Sequence, residues 1–540
     1  MPTSNIRNKL KEGSTERIWS ALSELRYIFS HALLRDSVYE MQLKSRLREL
    51  HKLAGDTLVK LFPDDKEKLA DIANHFEQAE DWENVWEYCE KTSDYYYDTF
   101  RFAEALTYSQ KALSVSEMIW ESNHPNIAQS LNNLAFQYCK QGQFDKAEPM
   151  HKRSLKIREI VFGNQHLEVT TSLGNLAMLY HNQGFYSKAK SLYLKSLRIR
   201  EKSLGLHHPD VAQNLNNLAY LYSDQGLYDE AEPLYKRSLE IRKKVFGNQH
   251  TDVANSLSNL ARLYYYKGIY NKSVSFIKRA LEIDEVFCGS SHPNVAIHLN
   301  DLALVFSGQG HYDMAEPLYE RALEINDAVY GSQHRSVGLS LNNLAVLYWS
   351  QGLYSKAEPI LQRALEIREK ALGSQHSDVA ASLNNLGNLY EKQGHHEKAI
   401  PLLERALGIL EHSLGSEHPN VGNALNNLAL LYFNQCNYDK AKSLHLRAEE
   451  ICEKVLGNQH PDIVYSIAGL ARIYNAKKQY KKAEPLFKRS IKIWEKAFPD
   501  HPNFAALIEY YAKHLDETNR PEEARKMWDR AKAIRDKNAK

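Results

Sequence analysis

The chain has 540 residues, far above the usual domain size of roughly 100–150, so a single compact core is excluded. Its 69 Lys and Arg against 67 Asp and Glu leave +2, too even a balance for a chain built to neutralise phosphate or to lie on an anionic membrane. With 43% hydrophobic and 25% charged residues it is too apolar for disorder, and no apolar run nears the roughly 20 residues that a bilayer span needs. Cys89, Cys139, Cys288, Cys436 and Cys452 are never spaced as metal ligands and read as reduced thiols. With no apolar leader at the start, they predict a cytoplasmic protein.

In chain order, residues 1–62 come first. The phrase RYIFSHALLRDSVYEMQLKSRLRELHKLAGDTLVKLF predicts a short strand, a helix from about Ala32, then a basic amphipathic helix through Leu47, Leu50, Leu53 and Leu58. Over 63–121, Phe102-x-x-Ala105 and Ala112 have the spacing of a second repeat helix, without a full first helix. This stretch is expected to hold degenerate helical repeats.

Residues 122–500 repeat themselves. His124, His166, His208, His250, His292, His334, His376, His418 and His460 each step by 42 residues, with no insertion. Glycines at 142 through 394 keep the step, with Cys436 and Lys478 standing in afterwards, and a second glycine series runs from 163 to 457. Within one unit Val379, Leu383, Leu386, Gly387 and Tyr390 form one helical stripe. Ala399, Leu402, Leu403, Ala406 and Ile409 form another. Nine antiparallel helix pairs follow, none able to bury its stripe without its neighbours. Residues 501–540 predict a tenth, capping pair through FAALIEYYAKHL and Ala524-x-x-x-Trp528-x-x-Ala531. The proline of the AEP phrase, at 149, 233, 317, 359, 401 and 485, implies a late helix start or a mild kink.

Leu215-x-x-Leu218-Ala219-x-x-Tyr222, Gly226 and Tyr228-x-x-Ala231-x-x-x-Tyr235-x-x-Ser238 together resemble the tetratricopeptide repeat (TPR). The 42-residue unit is similar to the subclass of kinesin light chains and of many bacterial multidomain regulators. The resemblance implies an all-α, right-handed TPR solenoid, a superhelix of stacked antiparallel helix pairs. Around FSHALLRDSVYE the chain also resembles the junction between the winged helix and the TPR arm of bacterial signal-transducing (STAND-type) ATPases. That junction would make 1–62 a winged-helix remnant and imply a separately encoded ATPase partner. A plain helical cap for the array remains open beside it.

Residue patterns for chemistry are absent. There is no P-loop, no Gly-rich dinucleotide turn, no H-E-x-x-H, no G-x-S-x-G and no C-x-x-C. A histidine recurring at one place serves the repeat, and its copies lie too far apart to share a metal. No enzyme, cofactor or metal site is expected. The basic phrases carry interleaved Glu, which reads as a solvated face and gives no support to nucleic acid or membrane as partner.

The expected function is therefore a protein-interaction scaffold binding a partner protein or extended peptide. The sensor arm of a signalling ATPase and a kinesin-light-chain-like cargo adaptor are the alternatives. The adaptor reading needs a heptad coiled coil before the repeats, which 1–121 does not show. In the TPR family the first helices line a concave groove. Matching positions put an amide ladder at Asn133, Asn175, Asn217, Asn259, Asn343, Asn385 and Asn427, able to pair with any peptide backbone or to bridge adjacent units. Asp301 and Ala468/Gly469 should break it. Selectivity is assigned to Tyr220, Leu304, Val346, Trp349 and Leu430 as apolar sockets, with Arg262 and Arg472 for carboxylates.

Overall fold

The computed structural model describes residues 44–99, 101–499 and 502–538, and every regular element among them is helical. The strand and the helix expected before residue 44, with most of the ATPase-like junction, lie outside the described residues. The basic amphipathic helix is present as Lys44–Leu61 and buries Leu47 and Leu50. The chain divides into two compact units, residues 1–175 and 176–540.

In the first unit, Ile72, Phe76, Val85, Cys89, Ala112 and Val115 form a core beneath the helices Leu69–Gln78, Trp82–Asp98 and Phe102–Ile119. Trp82–Asp98 is a full first helix packed along Phe102–Ile119, where the sequence predicts none. Its buried stripe is disguised by small hydroxyls. Thr92 and Ser93 stand where other units place Leu and Ala, and Ser93 Oγ donates to the Ala105 carbonyl at 2.9 Å and lies 2.6 Å from Ser109 Oγ on the second helix.

Residues 176–540 are a run of such pairs, from Pro209–Asp224 with Tyr228–Phe246 to Pro502–Glu517 with Pro521–Asn538. Each first helix packs on its own second helix and on the one before it, so one core passes from unit to unit. Leu344, Leu361, Leu386, Leu403, Leu428 and Ile473 share it across four units. The repeat is an all-α solenoid of paired helices.

The ninefold histidine series acts at the helix starts. In every copy from His124 to His460 the imidazole Nδ1 accepts the backbone N–H two residues on, at 3.1–3.2 Å. It takes the role usually given to Ser, Thr, Asp or Asn, satisfying an amide that the helix leaves unpaired.

The two glycine series differ in what they demand of the backbone. The turn between paired helices needs a left-handed residue, which Cys436 (φ 60°) and Lys478 (φ 58°) also adopt. The turn between units is stricter. Gly163 (φ 83°, ψ 151°) and Gly247 (φ 79°, ψ 176°) occupy a region that side chains forbid, and no other residue stands in that series. The AEP prolines lie inside their helices, which begin five residues earlier, so there is no late start. The Glu of the same phrase accepts from a repeat tyrosine, as in Tyr264–Glu232 (2.8 Å), Tyr348–Glu316 (2.7 Å) and Tyr390–Glu358 (2.9 Å). Charges on the second helices pair between units, as in Arg237–Glu201 (2.7 Å), Arg321–Glu285 (2.6 Å) and Arg489–Glu453 (2.6 Å). Each exposed pair contributes about 0–1 kcal/mol.

Candidate functional site: the inner face of the first helices

Within residues 176–540, consecutive first helices approach one another more closely than consecutive second helices do, which puts the first helices on the inner side of the curve. The residues assigned to a groove lie on first helices, Asn133 and Asn175 in the first unit and the others within 176–540.

The amide row is half-buried throughout, and its members are not equivalent. Asn259 Nδ2 donates to Asn216 Oδ1 at 2.8 Å, and Asn385 Nδ2 to Asn342 Oδ1 at 3.0 Å, tying each unit to the one before. Asn217 accepts from Gln213 at 2.9 Å. In the first unit Asn133 accepts from Gln129 at 3.0 Å and donates to the buried Glu90 at 2.6 Å; burial raises the pKa of that carboxyl. Asn343 and Asn427 make no bridge. The oxygens they would reach, Asn300 Oδ1 and Asn384 Oδ1, are buried without a hydrogen-bond partner. Asn175 lies in the same row at the end of the first unit.

The row breaks where the sequence departs from it. Asp301, in the Asn259 position one unit on, faces Arg262 of the preceding unit at 3.5 Å. Burial pushes its carboxyl up while Arg262 and His298 oppose the shift. Gly469 takes the Asn427 position one unit on and makes room for a ring. A Cβ there would lie 2.3 Å from His445 Nε2, while His445 Nδ1 sits 2.8 Å from Asn426 Oδ1. Burial holds that imidazole down at about 4, so it is neutral. Neither exchange shows in a scan for amides.

Of the selectivity positions, Tyr220 and Leu304 are exposed, and Val346 and Leu430 are half-buried. Trp349 is half-buried against the shared core. The two arginines differ. Asp301 keeps Arg262 charged and occupied. Arg472 lies between two rings, 4.6 Å from the Phe433 centroid and 4.3 Å from that of Tyr510, with no carboxylate hydrogen-bonded to it.

One array looks like chemistry and is enclosed. Ser258 Oγ lies 2.8 Å from His298 Nδ1, and His298 Nε2 lies 2.9 Å from Asp284 Oδ2. All three side chains are buried between helices. The places of Asp284 and His298 hold Arg and Ser in Arg158–Ser172 (3.2 Å), Arg242–Ser256 (2.9 Å) and Arg368–Ser382 (2.8 Å), and Asn and Ser in Asn326–Ser340 (3.0 Å). One joint has exchanged its polarity, and the sequence offers no sign of it until the helices are docked. Among the described residues no cluster of three or more His, Cys, Asp or Glu could hold a metal. No helix among them is long and apolar enough to cross a membrane.

The tetratricopeptide-repeat family model matches at 93–160, 126–202, 168–244, 210–285, 252–328, 336–412, 420–496 and 463–537. The chain belongs to the tetratricopeptide-repeat family. No curated protein matches it. Among solved structures, this TPR chain is similar to the nearly identical repeats of a Podosopora anserina kinesin-light-chain candidate. Identity there is 29% over 38% of this chain and 97% of that one, with a TM-score of 0.33. It is similar also to BtubC (BKLC) of P. vanneervenii, at 27% identity over 43% and 91%, TM-score 0.34. A Rap protein complexed with competence and sporulation factor shares 16% identity over 68% and 98%, TM-score 0.46. The repeated unit of this TPR chain is 42 residues long, and as a TPR array the chain is an interaction scaffold.

Proposed function

We propose that the helix pairs of residues 176–540 bind an extended segment of a partner protein along the inner face of their first helices. Tyr220, Leu304, Val346, Trp349 and Leu430 receive spaced apolar side chains, and Arg472 receives an acidic group. Arg472 carries the reading. A guanidinium held between two rings, with no carboxylate hydrogen-bonded to it, is placed to take a bidentate carboxylate. Arg262, already paired with Asp301, is left to position that carboxylate. Asn343 and Asn427 are the amides assigned to the ligand backbone, because Asn259 and Asn385 are engaged between units.

The test is a selection of displayed random linear peptides on the full chain, followed by affinity measurement for the winners. Enriched peptides should combine spaced apolar residues with an acidic one. Arg472→Gln should weaken them roughly tenfold or more, the loss of one charge-assisted pair. Asn343→Ala with Asn427→Ala should lower affinity, whereas Asn385→Ala should lower stability instead. No enrichment, or binding indifferent to all these changes, would sink the proposal.

A further inference from the structure

Residues 176–540 touch themselves at a distance of between five and six units. His418 and Pro419 lie over the left-handed turn at Gly184, where a Cβ would meet Pro419 Cδ at 3.2 Å and His418 Cδ2 at 3.3 Å. One unit on, His460 and Pro461 lie over Gly226, where a Cβ would come within 2.8 Å of His460 Nε2 and 3.4 Å of Pro461 Cδ. The spacing is the same in both cases. The Tyr228 and Phe498 rings approach to 6.2 Å in the same region.

The contact covers these two histidines, each 8% exposed. The His460 side chain is 6% exposed against 41% for His208 and 29% for His250, although that of His376 is also enclosed, at 10%. The glycines match them: Cys436 and Lys478 hold the same turn elsewhere, but a side chain at 226 would strike the His460 ring and one at 184 would press on Pro419 and His418.

We propose that His418 on Gly184 and His460 on Gly226 are two clasps that hold successive windings of residues 176–540 together, and that they open when the imidazoles are protonated. The proton has two effects on the ring. Nδ1 is already the acceptor for the next helix's first amides, so protonation removes the cap, and it places a charge where His460 Nε2 has no hydrogen-bond partner.

The groups facing His418 are His181, Asp224 and the Asn182 backbone, and Asp224 is itself 2.7 Å from His181. Asp462 faces His460, with Tyr186, Tyr228, Tyr266 and Tyr465 around that carboxyl. At His418 desolvation and His181 oppose the proton while the Asn182 backbone and Asp224 favour it; at His460 desolvation opposes it and Asp462 favours it. Desolvation dominates, holding His418 at about 4 and depressing His460. The open form binds the proton more tightly, so each clasp is firm above pH 6.5 and weakens as pH falls toward 4. At pH 5 the His418 clasp opens about twentyfold more readily than at neutral pH. The proposal does not depend on what occupies the inner face.

The experiment compares the full chain, the double change Gly184→Lys with Gly226→Lys, and the control Gly310→Lys with Gly352→Lys. Lys478 shows that this turn accepts lysine, and a Cβ at Gly310 or Gly352 has nothing within 4 Å. Small-angle X-ray scattering at pH 7.5 should give a larger radius for the first variant alone. Hydrogen exchange at 416–422 and 458–464 should speed about tenfold or more in that variant. Equal radii and exchange in all three proteins overturn the clasps. Should the first variant lose helical structure, the unmodified chain decides: expansion between pH 7.5 and pH 5 with helix content intact supports them, and constant dimensions overturn them.

Discussion

At the scale of single residues, the inner joints depend on partners that must change together. Asp284 and His298 replace an Arg and a Ser found elsewhere, and each alone would leave a buried charge or a ring without its complement. Asp284→Arg by itself should therefore destabilise the chain by about 3–5 kcal/mol, because the new guanidinium faces His298. Adding His298→Ser restores the Arg242–Ser256 arrangement and should recover most of that loss, read from urea midpoints of the three proteins. A double variant as weak as the single would show that the two positions are not coupled. Gly469 and His445 obey the same logic in shape, the ring occupying the volume a side chain would need. Sequence inspection finds Asp301 and Gly469 as breaks in an amide row. It does not find what replaces the amide, since Arg262 and His445 come from neighbouring helices and meet these positions only on docking.

At the scale of helices, most of the architecture is legible, because a 42-residue period with two apolar stripes leaves few alternatives to stacked pairs. Trp82–Asp98 escapes that reading because Ser93 and its neighbours fill the stripe with hydroxyls rather than Leu. The caps escape it for a chemical reason: imidazole is not a usual helix-capping group, yet its Nδ1 acceptor has the reach of an Asn oxygen. The consequence is measurable. His334 and His418 are held at about 4 by burial, against 6.5 in an unfolded chain, so the folded state binds their protons more weakly. Their contribution is complete above pH 6.5 and is lost as pH falls toward 4. Tm should drop by a few degrees between pH 7.5 and pH 5. His334→Asn, which caps without titrating, should reduce that drop, and an equal drop in the variant would refute the assignment.

At the scale of the whole molecule, stability is passed from neighbour to neighbour. The last units share a core in which Phe487, Ile493 and Trp494 lie beneath Phe504, Ile508 and Leu515. Removing residues 500–540 should uncover that core and raise hydrogen exchange first in 461–499, while 209–330 keep their protection. Uniform loss along the chain would mean that the units do not fail locally. How the windings meet was not legible in the sequence, because a small rotation at each joint decides it only after several are added.

The joint of exchanged polarity has a further consequence for assembly. Units this similar can mate with the wrong neighbour, either within a chain as it is synthesised or between two chains. The second helix Tyr270–Cys288, docked by mistake on another first helix, would bring buried Asp284 against Ser256 or Ser382 in place of an imidazole. Such a mismatch forfeits a buried pair, whereas an exchange between two Arg–Ser joints forfeits nothing. The Asp284–His298 joint, followed in the next unit by Asn326–Ser340 (3.0 Å), thus penalises slippage by one unit and gives a nearly periodic chain a fixed origin.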